Sequence, residues 1–102
     1  MTTDQANLDG IEVAANYLKL LSSTARLRIA FLISDEELSV SEISERLDGA
    51  LSQSALSQHL TRFREAGVVQ TRRASQAIYY RLASDDVQRV LETIASLGRA
   101  QN

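Results

Sequence analysis

The chain has 102 residues, about one domain's worth, with 44% apolar and 24% charged residues and a formal net charge of −2. No apolar run approaches the roughly 20 residues needed to cross a bilayer, and the polar, acidic start MTTDQANLDG is unlike a signal peptide, so a cytoplasmic protein with no membrane partner is expected. The absence of cysteine excludes a disulfide framework, a thiolate metal site and a thiol sensor; one histidine, His59, makes no metal site either, and no cofactor is expected.

In chain order, residues 1–8 are polar and expected to be a flexible N-terminus. Ile11, Ala14, Ala15, Leu18 and Leu21 then recur at helical spacing and predict a first helix to about Leu21. Ser22, Ser23 and Thr24 offer caps for a second helix from Ala25 to about Ile33, apolar nearly all round and therefore buried, which the acidic bend Asp35-Glu36-Glu37 ends. Ser39 heads a third helix, with Glu42 three places on to complete a capping box and Val40, Ile43 and Leu47 as its apolar positions. The turn Asp48-Gly49-Ala50 follows, with Gly49 best able to take a positive φ. Ser52 caps the fourth helix, Leu51 and Leu56 form a hydrophobic staple around its start, and Gly67 stops it.

The period then changes. Residues 68–73 and 77–82 are β-prone and flank the short polar connection Ala74-Ser75-Gln76, which predicts a hairpin. Ser84 caps a last helix, with Asp85 and Asp86 in its first turn and Val87, Val90, Leu91, Ile94 and Leu97 along one stripe. The order helix, helix, helix-turn-helix, hairpin, helix predicts a mainly α protein with a β-hairpin wing: a winged helix-turn-helix domain over residues 9–98, with a tail at 99–102.

Charge is distributed unevenly along this frame. Residues 1–50 hold four basic groups and nine acids, whereas residues 51–82 hold Arg62, Arg64, Arg72, Arg73 and Arg81 against Glu65 alone. On a wheel of about 100° per residue, Leu60 and Phe63 fall within about 40° of Leu56, while Ser54, Gln58, Thr61 and Arg62 lie about 140–240° round. Gln53 and Ser57 flank that second face. Exposed helix faces ordinarily favour Glu and Lys, which are good helix formers. Short uncharged hydrogen-bonding groups fit a face that meets the major groove without repelling phosphate: Gln can pair with adenine, Ser and Thr donate or accept, and Arg reaches guanine or phosphate. His59 lies beside the buried face, where packing is its commoner role and a ring N–H contact to phosphate its functional one. Arg72, Arg73 and Gln76 flank the hairpin tip, suited to phosphate or the minor groove. Tyr79 and Tyr80 are expected to pack within the hairpin.

A domain of this size has one core, yet both terminal helices carry apolar stripes. Ile11, Ala14 and Leu18 on the first and Val87, Val90, Leu91, Ile94 and Leu97 on the last are therefore expected to form a homodimer interface. A two-fold would set two reading helices about 34–36 Å apart, matching a roughly palindromic operator in double-stranded DNA.

The residues Leu51-Ser52-Gln53-Ser54-Ala55-Leu56-Ser57-Gln58-His59-Leu60, Arg64-Glu65-Ala66-Gly67-Val68-Val69 and Ile78-Tyr79-Tyr80-Arg81-Leu82 resemble the ArsR/SmtB family of bacterial repressors, as does Thr24-Ala25-Arg26-Leu27-Arg28-Ile29. The resemblance runs from about Ile11 to Leu97 and is greatest to the branch of HlyU, BigR and NolR. It implies dimeric operator binding by the fourth helix, wing contacts to the DNA backbone, and dimerisation through the first and last helices. Redox-sensing relatives carry cysteines at positions matching Phe31 and the neighbourhood of Gly98-Arg99; this chain has neither, which implies regulation without the family's metal or thiol sensor. The turn 48–50 is about two residues longer than in close relatives, so the angle between the third and fourth helices need not be theirs.

The functional expectation is a sequence-specific transcriptional regulator, in the sense of a repressor. The alternative is a winged-helix protein-interaction module, an anti-activator with little or no DNA binding, to which the acidic N-terminal half points. An enzyme is not expected: the sequence holds no nucleophile–base pair, metal cluster or phosphate-cradling glycine loop. No feature of the sequence names an effector.

Overall fold

Serine hydroxyls set where the helices begin. In a computed structural model, which describes the backbone of residues 2–100 and the side chains of residues 10–99, α2 (Thr24–Asp35) starts at Ser23, whose Oγ accepts the Arg26 amide at 3.2 Å. Ser39 opens α3 (Val40–Arg46) with the full capping box: its Oγ accepts the Glu42 amide at 3.1 Å and its own amide donates to Glu42 Oε1 at 2.8 Å. Ser52 caps α4 (Gln53–Glu65) through the Ala55 amide at 3.0 Å, and Ser84 caps α5 (Asp85–Ala100) through the Val87 amide at 3.1 Å. Each hydroxyl satisfies a backbone donor that has no partner inside its helix.

The ends are equally local. Past α4, Gly67 takes φ 72°, its amide reaches Arg64 O at 3.0 Å, and the Val68 amide reaches Phe63 O at 3.3 Å, the paired bonds of a Schellman stop. The same pair closes α3, from Asp48 to Glu45 O at 2.9 Å and from Gly49 to Ser44 O at 3.1 Å. Gly49 takes the expected positive φ (67°), and Asp48 (φ 54°) is left-handed as well and sits in the stop position. Aspartate tolerates that region better than most residues.

The sheet has three strands, not the two of the predicted hairpin. β1 (Leu38–Ser39), β2 (Val69–Ala74) and β3 (Ala77–Leu82) lie in the order β1-β3-β2, all antiparallel. Leu38 pairs with Tyr80 and Ser39 with Tyr79, so the hairpin is fastened at the middle of β3 to the segment leading into α3. Two residues give no alternation to read, which is why β1 was illegible. The hairpin turn is Ser75-Gln76, one residue shorter than predicted, with Ser75 at φ 56° and Ala74 paired to Ala77.

The core gathers Ile29, Ala30 and Ile33 of α2, Ile43 of α3, Leu56, Leu60 and Phe63 of α4, Leu38, Val68 and Tyr80 from the sheet region, and Val87 and Leu91 of α5. Full burial of one such side chain stabilises the fold by about 1.5–3 kcal/mol. Among the described residues, no buried side-chain polar atom lacks a hydrogen-bond partner.

The first helix is longer than its apolar spacing predicts. α1 is Thr2–Leu20, beginning well before Ile11, because polar residues can continue a helix without adding any periodicity to read. The expected flexible segment 1–8 and tail 99–102 fall on residues whose side chains lie largely outside those described, and α5 runs on to Ala100. Among the described residues of α1, Tyr17 and Leu20 pack on the core, followed by Leu21 just past the helix end. The radius of gyration, 15.2 Å, exceeds the roughly 13 Å of a compact chain of this length.

Candidate nucleic-acid interface

Helix α4 has two opposed faces. Leu56, Leu60 and Phe63 are 1%, 2% and 0% exposed and fix the helix against the body. Gln53, Ser54, Ser57, Gln58, Thr61 and Arg62 are all exposed, so the structure brings these predicted reading residues onto one outward surface. Thr61 differs from the rest, because its Oγ1 donates back to Ser57 O at 2.9 Å and is left to act as an acceptor.

His59 is half-buried on the flank of this face. Burial holds its pKa below the ordinary imidazole value, and the nearby Arg26 and Arg62 guanidinium groups lower it further. It is therefore mainly neutral at pH 7, with one ring nitrogen donating and one accepting.

The wing separates its two arginines. Alternation along β2 puts Arg72 and Arg73 on opposite faces of the hairpin, paired across the ladder with Tyr79 and Ile78 respectively. Arg72 lies over the Tyr79 ring, 4.7 Å from its centroid, and is held by Glu37: Nη2 donates to Oε1 at 2.6 Å, and Nε donates to Oε1 at 3.0 Å and Oε2 at 3.2 Å. The Arg72 hydrogen bonds keep the Glu37 carboxyl below its usual pKa, and Glu37 raises that of Arg72. Arg73 is exposed, with no ion pair to a described residue, and Gln76 is exposed in the turn. The two arginines expected to act alike are thus not equivalent. Tyr79 packs within the hairpin and Tyr80 enters the core. Sequence reasoning missed Glu37, taken only as part of a helix-ending bend. It stands 35 residues from Arg72, beyond the range of any local pattern.

A second surface lies between the terminal helices. Val13, Ala14, Tyr17 and Leu18 of α1 and Val90, Ile94 and Leu97 of α5 line an open groove of about 560 Å³. Ile11, Leu18 and Leu97 are 62%, 60% and 61% exposed. Two residues assigned to this surface from the sequence do not belong there. Val87 and Leu91, 0% and 1% exposed, point into the protomer's own core, because the wide stripe of α5 is split between core and groove. Val13 was missed, since it lies off the line of Ile11, Ala14 and Leu18. No described helix is long and apolar enough to cross a membrane.

Comparison with known proteins places these surfaces in context. Residues 23–71, from the α2 cap into β2, match the family model described as bacterial regulatory protein, arsR family. The chain is 45% identical over 80 residues to the transcriptional activator HlyU of Vibrio cholerae, covering 78% of this chain and 72% of that one. It is 42% identical over 80 residues to a biofilm growth-associated repressor of Agrobacterium fabrum, covering 78% and 67%. The solved structure of the transcriptional repressor BigR from Xylella fastidiosa superimposes with a TM-score of 0.82 at 33% identity, over 95% of this chain and 96% of that one.

Proposed function

The chain belongs to the ArsR family of bacterial regulatory proteins and is a DNA-binding transcriptional regulator rather than an enzyme; from that premise we propose that it acts in the cytoplasm as a homodimeric repressor of a roughly palindromic operator. The exposed face of α4 carries the proposal. Its inner face is fixed by three fully buried side chains, while its outer face offers hydrogen-bonding groups without a carboxylate until Glu65. Gln53, Ser54, Ser57, Gln58 and Thr61 read base edges or adjoining phosphates in the major groove, with Arg62 and His59 toward the backbone. Arg73 and Gln76 of the wing reach the neighbouring phosphates, and Arg72 keeps Glu37 as its partner.

The groove of α1 and α5 pairs with its own copy across a two-fold, through Ile11, Val13, Ala14, Leu18, Val90, Ile94 and Leu97. Ile11, Val13 and Leu18 of α1 are exposed in the single protomer, apolar surface that a partner copy would remove from water, which supports the pairing. The residues present contain no cysteine, so thiol sensing has no chemical group to use.

The test is fluorescence anisotropy on promoter fragments, including the region upstream of the protein's own coding sequence. Affinity is expected to fall steeply with salt, as neutralised phosphates release counterions. Gln58→Ala should cost about 1–3 kcal/mol at one base pair per half-site and leave the salt slope unchanged. Equal binding of every fragment by protein and variant would remove α4 from the reading role and favour a protein-interaction module.

A further inference from the structure

Along the outer face of α4 lies a trough whose far end, at Lys19 and Arg26, the reading-face proposal does not use. Its upper half, about 480 Å³, lies along Ser57, Gln58, His59 and Thr61; its lower half, about 260 Å³, reaches Asn16, Lys19 and Leu20 at the end of α1. The two halves share Arg26, Arg62 and Glu65, so they adjoin at these side chains between the end of α1 and the reading face.

We propose that this trough seats backbone phosphates of the bound DNA, with Lys19 and Arg26 joining Arg62 and His59 as the groups that hold them. The inference deepens the operator-binding reading and rests on it.

Three observations converge. First, the trough collects three cations, Lys19, Arg26 and Arg62, from three helices beside the neutral His59 ring and against one carboxylate, Glu65. Like charges gathered in a cleft repel one another, and an oxyanion between them reverses the sign of that interaction. Second, none of Lys19, Arg26 and Arg62 has an ion pair to a described residue, whereas Arg46, Arg72 and Arg89 elsewhere are paired with Glu36, Glu37 and Asp86. Third, Arg26 is held in place. Its Nε donates to Leu20 O at 2.6 Å and its Nη2 to Lys19 O at 3.3 Å, at the carbonyl end of α1. Those bonds orient the guanidinium and leave Nη1 and its two hydrogens for a ligand. The depressed pKa of His59, caused by burial and then by Arg26 and Arg62, reports the same crowding of positive charge.

The ligand chemistry is a phosphate oxyanion, from duplex DNA or from free phosphate. Continuity with Ser57, Gln58 and Thr61 selects DNA, because a strand passing along the reading face runs directly over the trough.

The experiment uses the full chain, Lys19→Gln and Arg26→Gln, each checked for folding by thermal melting. Each variant should lower the slope of log affinity against log salt by about 0.9, on specific and non-specific duplex alike. Because His59 is the one histidine in the sequence, its ring resonances provide a second reading. Duplex should raise its pKa, as phosphate offsets Arg26 and Arg62, while inorganic phosphate at equal ionic strength should not. Should Arg26→Gln fail to fold, Lys19→Gln and the histidine titration still decide. Unchanged slopes, or a His59 titration indifferent to duplex, would overturn the proposal; an equal shift with inorganic phosphate would reassign the trough to a free anion. If the parent protein binds no duplex at low salt, the operator reading itself fails, a result distinct from all of these.

Discussion

Helices α4 and α5 are built on the same inner plan and differ on the outside. Each is opened by a serine cap and anchored by fully buried residues: Leu56, Leu60 and Phe63 in one, Val87 and Leu91 in the other. Away from the core, α4 presents Ser, Gln, Thr and Arg, whereas α5 presents Val90, Ile94 and Leu97 beside the apolar face of α1. The inner faces hold the fold, and the outer faces set what can dock. A surface of short polar groups can replace the water of a DNA groove with hydrogen bonds, and one of branched aliphatics is stabilised by leaving water altogether.

The largest effects should be alike in the two helices. Leu60→Ala and Leu91→Ala each remove a buried side chain, so each should cost about 2–5 kcal/mol in urea unfolding at matched protomer concentration. A much smaller loss for Leu91→Ala would mean that α5 is not anchored as α4 is. The outer faces should then part. Ile94→Glu places a charge in the apolar groove and should turn a dimer into a monomer in sedimentation, weakening operator binding on the order of 100-fold, about 2.7 kcal/mol. If the parent protein sediments as a monomer at working concentrations, the contrast between the helices loses its functional meaning.

The smallest effect separates the wing arginines. Arg73→Ala should lower the salt slope by about 0.9, whereas Arg72→Ala, which removes a charge already neutralised by Glu37, should leave it nearly unchanged. The Arg72–Glu37 pair also has a predictable pH response. Because Glu37 has a lowered pKa in the folded chain, its contribution is fully present above the ordinary carboxylate value near 4.3, and is lost as pH falls through the lowered value. In two-dimensional NMR the Arg72 Nε–H signal should therefore keep its bonded shift at pH 5 and lose it in stronger acid. Equal salt slopes for both arginine variants would make the wing a uniform charge patch.

What the sequence settled by itself is what one turn of chain can encode. Ser39 with Glu42, Ser52 with Leu51 and Leu56, and Gly67 are complete signals within a few residues, so α3 and α4 and the outward face of Ser54, Gln58, Thr61 and Arg62 were legible. Packing between distant segments decided the rest. Leu38 and Ser39 become a strand only because β3 lies beside them, and the stripe of α5 divides into core and groove only where the body ends. Arg72 is neutralised by a glutamate from another loop, and Lys19 and Arg26 meet Arg62 and His59 across three helices. A side chain's neighbours within a turn follow from helical or strand geometry. Its partners from elsewhere in the chain are fixed when the whole core closes.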